Sequence, residues 1–144
     1  MITCTRVVAA PTRQVWDVLA DGWLYPLFVV GASRMRQVDD AWPAPGSKLH
    51  HSVGAWPALL DDVTEVVESE PLSRLALRAH AWPAGRADVE LRLDGHGSRT
   101  EVSITEDVAS GPARLVPGPV RRPQIAWRNQ ETLRRLAYLA EGRG

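Results

Sequence analysis

Two kinds of residue in this sequence could transfer protons: a glutamate inside an apolar strand pattern and a pair of neighbouring histidines. Glu106 follows Val102 and Ile104 at a spacing of two, so all three are expected on one buried face of a strand. A carboxyl group removed from water can serve as a general acid or base. The interpretation that we prefer is structural: Glu106 pairs with Arg128 or Asn129 and holds a helix against the sheet.

His50 and His51 are adjacent, so one of their side chains must point inward and the other outward on a strand. An inward histidine could orient a ligand carbonyl group or transfer a proton near neutral pH. Glu106 and His50 are therefore the candidate catalytic residues, and a hydrogen-bonded structural histidine is the alternative. The His, Asp and Glu residues have no metal-ligand spacing, so neither a metal site nor a cofactor is expected.

Apolar and aromatic side chains are expected to line a pocket beside these polar groups. Trp56 and Trp82 lie at corners that an antiparallel sheet brings to one end, where they would surround an opening or plug it. Asn129 lies in the apolar stripe of the last helix and needs a hydrogen-bond partner, which is the ligand, Glu106 or strand backbone. The predicted ligand-binding residues are Trp56, Leu77, Ala79, Trp82, Leu91, Ile104, Glu106, Asn129 and Leu133.

Strands must position most of these residues, and the sequence has the pattern of a strand-rich fold. After residue 33, apolar residues alternate with charged ones, which is typical of antiparallel strands with one buried face. Proline and glycine turn signals divide the pattern into segments. The seven expected strands are 2–8, 33–39, 47–55, 59–69, 73–82, 86–94 and 99–108.

Helical patterns flank this strand region. Residues 10–12 begin a helix that ends at Gly22, and 23–30 form a second short helix. Residues 110–123 contain four prolines and are expected to form a long, stiff loop. Residues 124–141 form a helix about 27 Å long, enough to cross the sheet. The predicted fold class is α+β: a curved, seven-stranded antiparallel sheet around a long C-terminal helix, with two short helices between the first two strands.

The order and spacing of several short motifs resemble the START-like superfamily, also called SRPBCC, and within it the polyketide cyclase/dehydrase-like branch with its helix-grip fold. The motifs are Ala10-Pro11, Val15-Trp16, Asp21, Pro45-Gly46, Asp62-x-Thr64, Pro71-x-x-Arg74-Leu75, Thr100-x-Val102 to Glu106, and Arg128-Asn129-x-Glu131-x-Leu133-x-x-Leu136. The resemblance implies an internal cavity for a hydrophobic ligand. It does not imply one reaction, because members include lipid carriers, polyketide cyclases, hormone receptors and chaperone activators.

Composition narrows the classes of partner. The 144 residues are expected to form a single domain over 1–144, and 17 basic residues balance 17 acidic ones, which is unlike a nucleic-acid-binding protein. No apolar run reaches the ~20 residues that span a bilayer and no signal peptide is recognisable, so a cytoplasmic protein without a membrane anchor is expected. The single cysteine, Cys4, excludes an intrachain disulfide.

Three hypotheses about function follow. The first is a binding protein for a small hydrophobic ligand, such as a lipid or a polyketide-like molecule, held between the sheet and the last helix. The second is a cyclase or dehydratase that uses Glu106, His50 and Asn129. The third is a protein-interaction module that uses the outer face of the sheet, and the charged residues expected there disfavour it. The sequence leaves open whether the protein forms a homodimer.

Overall fold

The computed structural model describes residues 2–29, 32–53, 60–81, 85–110 and 118–142. In chain order the elements are β1 (Ile2–Val8), α1 (Thr12–Ala20), a 3-10 turn (Gly22–Leu24), α2 (Tyr25–Phe28), β2 (Ala32–Val38), β3 (Lys48–Val53), β4 (Leu60–Glu70), β5 (Arg74–Ala81), β6 (Gly85–His96), β7 (Arg99–Ser110) and α3 (Gly118–Glu141). The predicted α+β architecture is confirmed, and every strand begins and ends within two residues of its predicted bounds.

The seven strands form one antiparallel sheet in the order β1-β7-β6-β5-β4-β3-β2. The helices after β1 carry the chain to the opposite edge, and the remaining strands return as a meander. Register shifts interrupt the β2–β3, β4–β5 and β6–β7 pairs. Because such bulges bend a strand and increase its twist, the sheet curves and presents a concave inner face.

The C-terminal helix begins earlier than the sequence pattern predicts. Residues 118–123, expected to be part of the proline loop, are the first part of α3. Pro119 fits the first turn, where the missing N–H would have no intrahelical acceptor. Pro123 lies farther inside the helix and removes one backbone hydrogen bond. The other loop residues, 111–117, lie outside the described residues.

Helix α3 is held at one side of the sheet. Its close backbone approaches among the described elements are to β1, β7, α1 and α2, and none of similar extent joins it to β3, β4, β5 or β6. On β1, the Cys4 thiol contacts the carbonyl oxygen of Ala126 at 3.7 Å, and burial raises the pKa of this thiol. At the C-terminal end of α3, Gln14 Nε2 donates to the Ala140 carbonyl oxygen and the Ala9 amide to Glu141.

The hydrophobic core lies between the sheet, α1 and the C-terminal half of α3. Trp42 closes the end of the core next to α1, where its Nε1 donates to the Leu19 carbonyl oxygen at 3.0 Å. Gly22 lies beside it, and a Cβ there would come within 2.5 Å of Leu49 Cδ2, so no larger residue fits without displacing the core. No helix among the described residues is both long enough and apolar enough to cross a lipid bilayer.

Candidate functional site

The apolar wall of the candidate site is the inner face of strands β5 to β7. The predicted wall residues Leu77, Leu91 and Ile104 are all buried on this face. Their neighbour Ala79 is only partly buried, although its side chain alternates with the exposed His80 on the outer face. These four positions are where the sequence placed them, and their contact with a ligand stays a prediction.

A second row of inward residues on the same strands is incompletely covered. In the strand register Ala79 pairs with Ala87 and Thr64, and Val89 pairs with Leu77 and Glu106. Ala87 and Val89 are only partly buried. Alanine side chains are short and α3 makes no extensive close approach to β5 or β6 within the described chain, so this part of the concave face is incompletely covered.

Glu106 faces inward, as the alternation predicts, and is 6% exposed. Its Oε2 accepts a hydrogen bond from Nη2 of Arg128 on α3, which is also an ion pair. The preferred structural interpretation agrees with this contact, since the pair ties β7 to α3. Because Arg128 occupies Oε2 of Glu106, this oxygen is not free to contact a substrate, and the enzyme hypothesis loses its best residue.

A double-mutant cycle on Glu106 and Arg128 tests this pairing. We expect Glu106→Gln and Arg128→Met each to lower the free energy of unfolding, because each variant leaves a partly buried polar group without its partner. Urea denaturation should give a coupling energy of about 1–2 kcal/mol between the two sites. This is less than for a fully buried pair, because Arg128 is partly exposed. A coupling near zero would mean that the ion pair does not hold the helix.

The inward histidine is His51, not the candidate His50. His51 is 3% exposed, whereas His50 lies toward the opposite face, where its Nε2 is 3.2 Å from Asp39 Oδ1. The reason is the period of two: the fully buried Leu49 fixes the inner face of β3, and His51 is two residues farther along. The position of Leu49 in the sequence could have shown which of the two histidines faces inward.

His51 belongs to a small polar cluster that sequence reasoning did not assemble. Its Nε2 lies 2.8 Å from Thr64 Oγ1 on β4, and the same oxygen is 3.4 Å from the hydroxyl of Tyr25 on α2. The Tyr25 and His51 rings stack with centroids 5.4 Å apart, and Phe28 packs edge-on against Tyr25. Since the Thr64 hydroxyl has one proton to donate, the contacts at its oxygen form a directional chain, able to orient a proton or a ligand oxygen.

Asn129 lies at the centre of the buried face of α3 and is 3% exposed. The buried residues Ile125 and Leu133 lie one turn before and one turn after it. The predicted bond to Glu106 or to strand backbone does not form: Nδ2 of Asn129 is buried and has no hydrogen-bond partner among the residues that the structure describes. A buried amide that lacks a partner costs free energy, so this position requires an explanation.

The predicted aromatic rim is not part of the described chain. Trp56 and Trp82 lie outside the described residues, so their position at an opening stays a prediction. Leu133, the remaining predicted wall residue, is buried in the core face of α3. Within the described ranges, no group of three or more His, Cys, Asp and Glu side chains is arranged to hold a metal ion.

Comparison with solved structures identifies the fold. The whole chain aligns with one half of the di-domain aromatase/cyclase StfQ of the steffimycin biosynthetic pathway, at a TM-score of 0.76 and 11% identity, covering 99% of this chain and 50% of that chain. The Zhui aromatase/cyclase from a Streptomyces species aligns at 0.72 and 22% identity, covering 99% of this chain and 93% of that one. A START superfamily protein from Mycobacterium smegmatis aligns at 0.68 and 20% identity, covering 99% and 94%.

The chain has a START-like, helix-grip fold. The resemblance stated from the sequence motifs is thereby confirmed at the level of the fold. No protein-family model matches the sequence, and no curated protein matches it. The inner face of the sheet carries the His51 cluster and Glu106. The buried face of α3 carries Asn129.

Proposed function

We propose that this START-like protein binds a small hydrophobic ligand, a lipid or a polyketide-like molecule, between the concave face of the sheet and helix α3. The observation that carries the proposal is the placement of α3, which approaches β1 and β7 closely and leaves β3 to β6 without an equally extensive approach in the described chain. The partial exposure of the inward Ala79, Ala87 and Val89 supports the same space.

The chemistry of the walls suits a ligand that is mostly apolar. Leu77, Leu91, Ile104 and Leu133 offer aliphatic contacts, and a few polar groups lie among them on α2, α3, β3 and β4. Small-molecule sites have this composition: apolar walls supply affinity through buried area, and a few fixed polar groups supply orientation. The names of the two similar aromatase/cyclases agree with a ring-forming or aromatic ligand.

A cyclase or dehydratase is the second candidate function, and one observation favours it. His51 lies in the apolar interior beside two hydroxyl groups, Thr64 and Tyr25, which is an arrangement that can move a proton to or from a bound ketone. In this hypothesis the proton-transferring residue is His51 and not His50. Glu106 is no longer a candidate catalytic residue, because it contacts Arg128.

Native mass spectrometry of the protein purified from its own host tests the binding proposal. We expect a fraction of the protein to carry a bound molecule of a few hundred daltons, and the stripped protein to bind the neutral apolar dye 1-aminoanthracene. A protein that carries no ligand and does not bind the dye would contradict the proposal. Turnover of a poly-β-ketone that disappears in His51→Phe would favour the enzyme.

A further inference from the structure

The outer face of helix α3 carries two exposed aromatic side chains. Trp127 and Tyr138 are each 66% exposed, the highest value among the large hydrophobic residues that the structure describes. Glu131 and Arg134 lie between them, and the spacing of four, three and four residues puts all four side chains on one stripe. This stripe, which we call the outer stripe of α3, runs along the side of the helix opposite its buried face.

The charged residues at the centre of the outer stripe hold each other in place. Arg134 Nη2 donates to Glu131 Oε1 at 2.6 Å, and Arg134 Nε donates to Glu131 Oε2 at 2.9 Å. The same guanidinium lies over the Tyr138 ring, 5.5 Å from its centroid. Because these contacts already restrict the side chains, a partner that docks on the stripe has less side-chain freedom to remove.

An open groove lies beside the N-terminal end of the outer stripe. It has a volume of about 520 Å³, its surface is mainly apolar, and it is lined by Pro123, Gln124, Ile125, Trp127 and Arg128. An aromatic ring from a neighbouring molecule would bury apolar area in this groove against the Trp127 indole. The outer stripe therefore has an apolar groove at one end and an exposed aromatic ring, Tyr138, at the other.

The outer stripe is complementary to itself in an antiparallel pair of helices. If two copies of α3 pack about a twofold axis that passes between residues 132 and 133, Trp127 of one copy lies opposite Tyr138 of the other. Glu131 then lies opposite Arg134, because these two residues are also placed symmetrically about the axis. A parallel pair would instead bring like charges together, Glu131 against Glu131 and Arg134 against Arg134. The charges therefore favour a second copy of this chain in the antiparallel orientation.

We propose that the outer stripe of α3 is the interface of a homodimer in which the α3 helices of two copies pack antiparallel. Tyr138 of each copy enters the groove beside Trp127 of the other, and Glu131 of each copy meets Arg134 of the other. The dimer is independent of the proposed ligand, because the stripe lies on the side of α3 that faces away from the core. One pair of helices buries less area than a typical stable complex, so we expect a micromolar dissociation constant.

Sedimentation velocity of the full chain, at concentrations from about 1 to about 200 μM, tests the proposal over the range of a weak interface. We expect the sedimentation coefficient to rise from that of a monomer to that of a dimer. Trp127→Ala and Tyr138→Ala should each raise the dissociation constant at least about tenfold, because buried aromatic side chains carry much of the affinity of an interface. The matched control is Trp23→Ala. Trp23 is 58% exposed but lies on the 3-10 turn, so its removal should leave the dissociation constant unchanged.

Exchange of the two charges tests the antiparallel orientation. Glu131→Arg alone and Arg134→Glu alone should each prevent dimer formation, because each places like charges opposite each other. The double variant, Glu131→Arg with Arg134→Glu, restores opposite charges across an antiparallel pair and should dimerise again. In a parallel pair the double variant would still bring like charges together, so a double variant that remains monomeric would overturn the proposed arrangement.

A wild-type protein that stays monomeric over the whole concentration range would overturn the proposal. A dimer that Trp127→Ala and Tyr138→Ala leave intact would also overturn it. Both side chains are exposed, so these variants should keep the circular dichroism spectrum and the Tm of the dilute wild-type protein. Flotation with vesicles of phosphatidylcholine and phosphatidylglycerol tests a different occupant. Vesicle binding by a monomer, abolished in both variants, would assign the outer stripe to a membrane surface and overturn the homodimer.

Discussion

An Ala79→Trp variant is expected to lose the binding of 1-aminoanthracene while it remains folded. Ala79 is partly exposed on the concave face, and its register partners on the adjoining strands are Ala87 and Thr64, both small. An indole at this position enters the proposed ligand space instead of displacing well-packed core atoms. We expect the dissociation constant for the dye to rise at least about tenfold, with the circular dichroism spectrum unchanged.

The adjoining residue provides a matched control for Ala79→Trp. His80 is exposed on the outer face of the same strand, so His80→Trp adds the same indole outside the proposed space and should leave dye binding unchanged. Leu91→Trp is a second filling variant from a neighbouring strand. It replaces a buried side chain and should also cost about 1–3 kcal/mol of stability through overpacking. If Ala79→Trp and His80→Trp bind the dye equally well, the ligand site is not inside the sheet.

Most of the fold could be predicted because apolar and polar residues alternate clearly in several of the strands, above all β5, β6 and β7. A period of two fixes both the existence of a strand and the face that it buries, which is why Glu106 and Leu91 are inside as predicted. The start of α3 was wrong for a physical reason. Prolines 119 and 123 are typical of loops, but a helix accepts proline in its first turn and can lose one further hydrogen bond when its apolar face packs.

The site was harder to predict than the fold because it depends on contacts between distant segments. The stack of Tyr25 on His51 joins α2 to β3, and Thr64 adds β4, so neither spacing nor periodicity could assemble the cluster. The choice between His50 and His51 was a local question, and Leu49 could have answered it. Asn129 was placed correctly on the buried face, but the absence of a partner for Nδ2 in the described chain is visible only in three dimensions.

The two halves of α3 have different roles in this interpretation. The N-terminal half carries Arg128, which pairs with Glu106 on β7, and the buried Asn129. The C-terminal half is packed into the core through Leu136, Ala137 and Ala140, and its end is tied to the segment around α1 by hydrogen bonds. The C-terminal half is thus held by the core, whereas the N-terminal half is tied to Cys4 on β1 and to Glu106 on β7.

The variant Leu136→Ala measures this anchoring. Leu136 has no exposed surface and is among the largest fully buried side chains, so its truncation removes apolar area and leaves a cavity. We expect the free energy of unfolding to fall by about 3 kcal/mol and Tm by roughly 10 °C, measured by urea and thermal denaturation. Tyr138→Ala on the exposed side of the same helix turn is the control and should change stability by less than about 0.5 kcal/mol.

Leu136→Ala and Ala79→Trp should affect two different properties of the protein. The first lowers stability by removing core contacts at the anchored end of α3, whereas the second removes ligand binding by filling space that the core does not use. A loss of only a few tenths of a kcal/mol in Leu136→Ala would mean that the helix is not anchored there. In that case contacts along β1 would have to hold α3 in place, and the open concave face would need a different support.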